Sequence, residues 1–164
     1  MKLLLSKPRG FCAGVDRAID IVEKALELWG GPIYVKHEIV HNRHVVNNLR
    51  DKGAIFIEDV EDVPEGSRLI YSAHGVSPAV RAQAKERHLI EIDATCGLVI
   101  RVHSAVKRFA NMGYHIILIG HRNHVETMGT AGEAPDRTSI VESADDVASL
   151  HFEEEQKLFY ITQT

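Results

Sequence analysis

The chain has 164 residues, a formal net charge of -4, and 45% hydrophobic and 26% charged residues. These proportions are typical of a globular protein, and the negative charge argues against a nucleic-acid partner, which would call for a basic surface. No apolar run is long enough to span a membrane, and Arg9, Asp16 and Arg17 interrupt any signal-peptide core. With two cysteines and no export signal, we expect a cytoplasmic protein without a membrane partner.

Short apolar runs alternate with amphipathic stretches along the chain. The runs that predict buried strands are 3–5, 33–35, 54–57, 69–71, 89–92, 116–119 and 158–161. The apolar helix faces between them are Val15, Ala18, Val22, Leu26 and Trp29 in the first helix, and Val99, Val102, Val106 and Phe109 in a later one. Ser77-Pro78 predicts a helix start, and Ser143 with Asp146 predicts a capping box. This alternation predicts an α/β fold of small parallel-sheet modules with flanking helices.

A weak internal repeat divides the chain. A predicted strand leads to Cys12 and a helix, and a second strand leads to Cys96 and a helix. We therefore predict pseudo-symmetric modules around a central cleft, with residues 1–96 as the first module and 97–164 as the second. The run 158–161 has no following helix to cover it, so we expect the second module to be truncated.

Cysteines, histidines and a carboxylate follow the predicted strands. Ligands of parallel α/β sheets bind beyond the carboxyl ends of the strands, so we expect these side chains to gather at one rim. The candidates at this rim are Cys12, His41, His74, Cys96, His121, His124 and Glu126. No glycine-rich phosphate loop or dinucleotide fingerprint is present, which disfavours nucleotide binding.

Each of these residues also has a simpler interpretation. A single cysteine is often a small buried hydrophobe, although a helix start favours the thiolate that binds metal, and Gly14 and Gly97 would let a bulky cofactor approach. Two cysteines are too few for an iron–sulfur cluster, which commonly has four, and the paired spacing of structural zinc sites is absent. The histidines could cap helices, face solvent or form an anion site.

The segment from His121 to Glu126 leaves three functions open. His121, His124 and Glu126 could bind zinc or iron for hydrolysis, relay protons, or form a polar loop, and they lack the spacing of the zinc proteases. Glu126 beside an anion would suit a general acid. A folded fragment without catalysis is the other alternative.

The motifs resemble those of the 4-hydroxy-3-methylbut-2-enyl diphosphate reductase family. The resemblance spans the whole chain in order and covers the first half of the family's usual length. Its motifs are Pro8 to Ala18, His41-Asn42, Ser72 to Ser77, Asp93 to Cys96, Gly120-His121, and His124 through Glu126 to Gly129-Thr130.

This resemblance implies an iron–sulfur oxidoreductase of isoprenoid biosynthesis by the methylerythritol phosphate pathway. Cys12 and Cys96 would be two of three thiolate ligands of a 4Fe–4S cluster whose fourth iron binds the substrate's hydroxyl oxygen. The implied reaction is a two-electron reductive dehydroxylation that gives isopentenyl and dimethylallyl diphosphates. Ferredoxin or flavodoxin is the implied electron donor.

The resemblance also implies roles for the residues around the substrate. His41, His74 and His124 would hold the diphosphate, Glu126 would deliver the proton that lets the hydroxyl leave as water, and Thr164 would line the substrate pocket.

The sequence departs from the family pattern in several places. The third cysteine, a Ser-Ser-Asn element of the diphosphate site and the third module are absent from these 164 residues. Gly97 and Val125 stand where the family usually has proline, which would loosen the turn after Cys96 and shift the loop that carries Glu126. We therefore expect this chain to be a partial form that is inactive by itself.

Overall fold

The computed structural model describes residues 2–164 and contains two parallel sheets. The strands of the first sheet are β1 (Ile33–Lys36), β2 (Ala54–Ile57), β3 (Arg68–Tyr71) and β4 (Ile90–Asp93). Their order is β2-β1-β3-β4, so β1 and β3 are central and are joined in register from Tyr34–Leu69 to Lys36–Tyr71. The connections from β1 to β2 and from β3 to β4 each contain an α-helix, as is usual between parallel strands, whereas β2 and β3 are joined through a short 3-10 turn.

The second sheet has the order β6-β5-β7. Its strands are β5 (His115–Ile119), β6 (Thr138–Val141) and β7 (Leu158–Thr162). The central strand β5 buries Ile116 and Leu118, whereas Tyr160 on the edge strand β7 is exposed. The second sheet is therefore less well covered than the first.

Six α-helices flank the sheets within residues 2–164. They are α1 (Ala13–Trp29), α2 (Arg43–Asp51), α3 (Pro78–Glu86), α4 (Gly97–Asn111), α5 (Val125–Ala131) and α6 (Ala144–Ala148), with short 3-10 turns at Val60–Asp62 and Pro135–Arg137. The side chain of Ser77 accepts a hydrogen bond from the Val80 N–H, and Ser143 and Asp146 form a capping box. These two helix starts are confirmed.

The main core lies between α1 and the first sheet. Ala18 and Val22 of α1 are fully buried and belong to one cluster with Val35 and Ile70 of the central strands. Burial of each large side chain stabilises the fold by about 1.5–3 kcal/mol, so this contact fixes α1, and with it the start of α1, on the sheet.

The predicted α/β fold is confirmed, with one wrong strand and one missed strand. Leu3, Leu4 and Leu5 form no strand and are 75%, 80% and 64% exposed. Their apolar character predicted burial, but they pair with none of the strands in residues 2–164. The missed strand β6 begins with Thr138 and Ser139, whose polar side chains hide the pattern.

The two sheets lie on either side of residue 96, and the exact module boundary stays a prediction.

Candidate functional site

The two cysteines occupy equivalent positions at the starts of the two longest helices. Cys12 is the N-cap residue of α1, Cys96 is the N-cap residue of α4, and both are free thiols. A β-carbon at Gly14 would lie 2.6 Å from Sγ of Cys96 and 3.9 Å from Sγ of Cys12. The two sulfurs therefore converge over Gly14, and only glycine leaves room for both.

The loop that carries Cys96 is held by hydrogen bonds to the first sheet. The Cys96 N–H donates to the Ala73 carbonyl at 2.9 Å, and the Thr95 N–H donates to Oδ1 of Asp93 at 2.9 Å. Arg81 donates to Oδ2 of the same carboxylate at 2.6 Å. Burial acts to raise the pKa of Asp93, but the bonds from Thr95 and Arg81 outweigh it and hold the pKa below its usual value.

Three histidines from three different loops form a compact cluster. The ring centroids of His41 and His74 are 4.4 Å apart, and Nε2 of His41 lies 3.2 Å from Nε2 of His124. His74 is buried, and its Nδ1 lies 3.1 Å from the Ser72 hydroxyl. The chain folds this way because β1, β3 and β5 all end near this point, as the parallel topology predicts.

Burial and neighbouring imidazoles lower the pKa of two members of this cluster, His74 and His124. Desolvation, followed by the proximity of His41, His37 and His124, lowers the pKa of His74 to about 3. Desolvation and the proximity of His41 also lower the pKa of His124. A bound anion favours the protonated form of imidazole. The cluster can therefore take up protons when a polyphosphate binds.

Glu126 lies in the first turn of α5 and is only 5% exposed. Its Oε1 accepts hydrogen bonds from the Thr164 N–H at 2.6 Å and from the Thr164 hydroxyl at 2.7 Å. Nδ1 of His124 accepts a bond from the Glu126 N–H at 3.2 Å. Thr164 follows β7, so the second sheet fixes one oxygen of the carboxyl group beside the histidine cluster.

A cavity of about 480 Å³ connects these groups. Its lining includes Cys12, Cys96, His41, His74, Glu126 and Thr164, together with Phe11, Gly14, Val15, Val40, Asn42, Ala73, Leu98 and Val99. His124 joins the site through its contact with His41. The structure therefore brings together six of the seven side chains that the sequence placed at one rim, all except His121, and their chemical roles remain predictions.

His121 does not belong to the site. Its side chain is 82% exposed, and its Nδ1 lies 3.4 Å from Oε1 of Glu142. Within residues 2–164, no three His, Cys, Asp or Glu side chains are arranged to hold a metal ion. The His121–His124–Glu126 set that a hydrolase would need is therefore not assembled.

Two neighbouring residues contribute more than the sequence indicated. Asn42, not His41, caps α2, because its side chain accepts bonds from the His44 and Val45 N–H groups. His37 stands 5.8 Å from His41 and 5.6 Å from His74 between ring centroids. The sequence did offer a signal for His37, because this residue directly follows β1 and ligands of parallel sheets bind beyond the carboxyl ends of the strands.

The converging thiols fit part of an iron–sulfur cluster. The chemistry of the donors is right, because such clusters are held by cysteine thiolates, and Gly14 leaves open space between the sulfurs. The sequence contains no third cysteine. Cys12 and Cys96 can therefore supply two ligands of a cluster, and any further thiolate ligand has to come from outside these 164 residues. No helix in residues 2–164 has the length and apolar character to cross a membrane.

The chain is similar in sequence to known reductases. The chain is 80% identical over its whole length to 4-hydroxy-3-methylbut-2-enyl diphosphate reductase of Protochlamydia amoebophila, of which it covers 52%. It is 66% identical to the Chlamydia pneumoniae enzyme over 99% of this chain and 53% of that protein. The chain thus spans about half the length of these relatives.

A solved structure agrees with the sequence comparison. The E-1-hydroxy-2-methyl-but-2-enyl-4-diphosphate reductase of Plasmodium falciparum matches 96% of this chain with a TM-score of 0.94 and 59% identity, and the match covers 50% of that protein. The sequence profile of the LytB protein family matches residues 3–164. Fold and sequence therefore agree that this chain belongs to the LytB family.

Proposed function

We propose that this chain provides the first half of a 4-hydroxy-3-methylbut-2-enyl diphosphate reductase. The observation that carries the proposal is the convergence of two helix-capping thiols, a histidine cluster and a buried carboxyl group on one cavity. Because the chain spans about half of its relatives, the complete activity requires the remaining half. By itself the chain is a partial and inactive form.

The histidine cluster is the proposed diphosphate site. The lowered pKa values leave His74 and His124 neutral until an anion approaches, and proton uptake on binding then adds charge-assisted hydrogen bonds to the phosphate oxygens. The substrate is an allylic diphosphate, and the remaining space toward the cysteines receives its hydrocarbon part. The apolar lining from Val15, Val40 and Val99 suits that part.

Glu126 is the proposed proton donor. The reaction consumes two electrons and two protons, breaks the carbon–oxygen bond of the substrate's hydroxyl group and releases water, giving isopentenyl and dimethylallyl diphosphates. Glu126 gives one proton to the departing hydroxyl oxygen, and Thr164 holds the carboxyl group in place for that transfer.

A 4Fe–4S cluster is the proposed cofactor, with Cys12 and Cys96 as two of its ligands. When bound, it would supply the two electrons of the reaction. We further propose ferredoxin or flavodoxin as the electron donor and the cytoplasm as the compartment.

Because two thiolates leave a cluster under-ligated, we expect this chain, purified in air, to contain no stoichiometric iron and inorganic sulfide. Stoichiometric amounts of both would contradict that expectation.

The diphosphate site can be tested on this chain with inorganic pyrophosphate. We expect isothermal titration calorimetry to detect binding that His41→Ala and His74→Ala each weaken by about tenfold, or about 1.4 kcal/mol. His88→Ala is the matched control, because His88 is 76% exposed and lies outside the cluster. Absence of binding by the unmodified chain would contradict the proposed diphosphate site.

The proton donor can be tested after fusion of this chain to the second half of its Protochlamydia relative. With a chemical reductant, Glu126→Gln should lower kcat by about 10²–10⁴-fold with little change in KM, because the carboxamide keeps the size but has no proton to deliver. His41→Ala should also raise KM, because it removes a ground-state contact. Glu142→Gln, outside the cavity, is the control. Near-normal kcat with a raised KM for Glu126→Gln would make Glu126 a binding residue.

A further inference from the structure

His37 adopts a backbone conformation that residues with side chains rarely use. Its φ is 61°, in the left-handed region, although it directly follows β1. Such conformations persist when surrounding contacts hold them, and they are concentrated at functional sites. The His37 N–H donates to the Ile57 carbonyl at 2.8 Å, so the residue stays attached to β2 while its side chain turns away from the strand direction.

Glu58 fixes the orientation of the His37 ring. Nδ1 of His37 lies 2.9 Å from Oε1 and 3.0 Å from Oε2 of Glu58. Because a carboxylate only accepts hydrogen bonds, Nδ1 carries a hydrogen and donates it. Lys36 donates to the backbone carbonyl of Glu58, which holds the acidic residue at the end of β2.

The fixed ring packs against two members of the histidine cluster. The planes of His37 and His41 meet at 77°, and those of His37 and His74 meet at 76°, both in edge-to-face geometry. The His37 side chain is 21% exposed, so these rings cover much of it. The titratable groups near His37 are Lys36, Glu58, His41, His74 and His124.

We propose that His37 and Glu58 form a positioning pair, which holds the rings of His41 and His74 in the orientation that binds a diphosphate. This inference rests on the proposed function of the histidine cluster. His37 acts through its neighbours and is not a catalytic residue. The pair explains the strained backbone, because a relaxed φ at His37 would turn the ring away from both neighbours.

The test compares pyrophosphate binding by variants of this chain. His37→Asn removes the ring, while asparagine tolerates a positive φ and retains an N–H donor for Glu58. Glu58→Ala removes the acceptor without touching the strained backbone, and Glu58 is 67% exposed, so this variant keeps the fold. We expect each substitution to weaken binding by about tenfold, and the double variant to bind no more weakly than either single one, since both break the same contact.

Two further variants separate positioning from general effects. Glu58→Gln keeps an acceptor for Nδ1 and should bind as tightly as the unmodified chain. His88→Asn is the matched control, because His88 has a φ of 53° and a glutamate partner, Glu65, 3.8 Å away, but lies outside the cluster. It should leave binding unchanged. In NMR spectra, the ring signals of His41 and His74 should shift in His37→Asn and Glu58→Ala but not in His88→Asn.

The outcomes distinguish this inference from the proposed function. If the unmodified chain does not bind pyrophosphate, the proposed diphosphate site is wrong and the inference fails with it. If it binds and both His37→Asn and Glu58→Ala bind equally well, only the positioning pair is wrong. Additive losses in the double variant, or a Glu58→Gln variant as weak as Glu58→Ala, would also overturn the pair.

Discussion

The two cysteine junctions have the same local geometry but very different support. Cys96 follows β4, and its loop is bonded to the first sheet through Ala73 and Asp93. Cys12 follows the exposed leucines 3–5, which form no strand, and is itself exposed. Both cysteines cap a long helix. The helix start places each sulfur, whereas the sheet stabilises only one of them.

One contact partly compensates for this asymmetry. The guanidinium of Arg17, in the second turn of α1, donates to the Thr95 carbonyl at 3.0 Å. This bond links the helix that starts at Cys12 to the loop that carries Cys96. The Cys12 junction therefore depends on α1 and Arg17 for its position, and the space at Gly14 decides whether the two sulfurs can meet.

The largest effect is expected from filling that space. Gly14→Ala would place a β-carbon 2.6 Å from Sγ of Cys96 and force the sulfurs apart. Phenylarsine oxide captures two neighbouring thiols at once, and we expect its affinity to fall by about 10²-fold, as misplacement of reacting groups by about 1 Å can cause.

Gly97→Ala is the matched control for this substitution. Gly97 also lies beside a helix-capping cysteine, but a β-carbon there would meet nothing within 4 Å. It should leave arsenical affinity unchanged. Equal affinities for Gly14→Ala and the unmodified chain would show that the two thiols do not depend on this open space.

A smaller effect is expected on the reactivity of the separate thiols. Because Cys12 is exposed and Cys96 is half-buried, Cys12 should react with iodoacetamide about tenfold faster. The rates are measured on Cys96→Ser and Cys12→Ser, each of which leaves one thiol. Equal rates would indicate that the Cys96 loop opens as freely as the N-terminal segment does.

This asymmetry also marks the limit of prediction from the sequence. The sequence was sufficient to bring Cys96, His41 and His74 to one rim, because β1, β3 and β4 are parallel strands whose ends are visible in the hydrophobic pattern, although the edge strand β4 is mostly exposed. The same pattern failed at Leu3–Leu5. An apolar run shows that a segment would be stable when paired, but it does not show whether residues 2–164 offer a partner strand.

The finer geometry of the site was also beyond the sequence. The left-handed conformation of His37 and its pairing with Glu58 depend on how the end of β1 meets the end of β2. The bonds from Thr164 to Glu126 join residues far apart in the chain and require the second sheet to be in place. No periodicity or spacing reports such contacts between distant segments.

The smallest effect concerns the stability of the protein at acidic pH, which depends on His74. This residue follows Ala73, whose carbonyl accepts the hydrogen bond from the Cys96 N–H. Burial and neighbouring imidazoles lower the pKa of His74 from 6.5 to about 3 in the folded chain. Between these values the unfolded chain binds a proton that the folded chain does not, so stability falls as the pH falls from 6.5 toward 3. Urea unfolding should therefore show that the free energy of unfolding of the unmodified chain falls between about pH 7.5 and about pH 5.5. For His74→Gln, the fall over the same range should be about 1 kcal/mol smaller. The exposed control His121→Gln should keep the full pH dependence, and a His74→Gln variant that does the same would rule out His74 as its source.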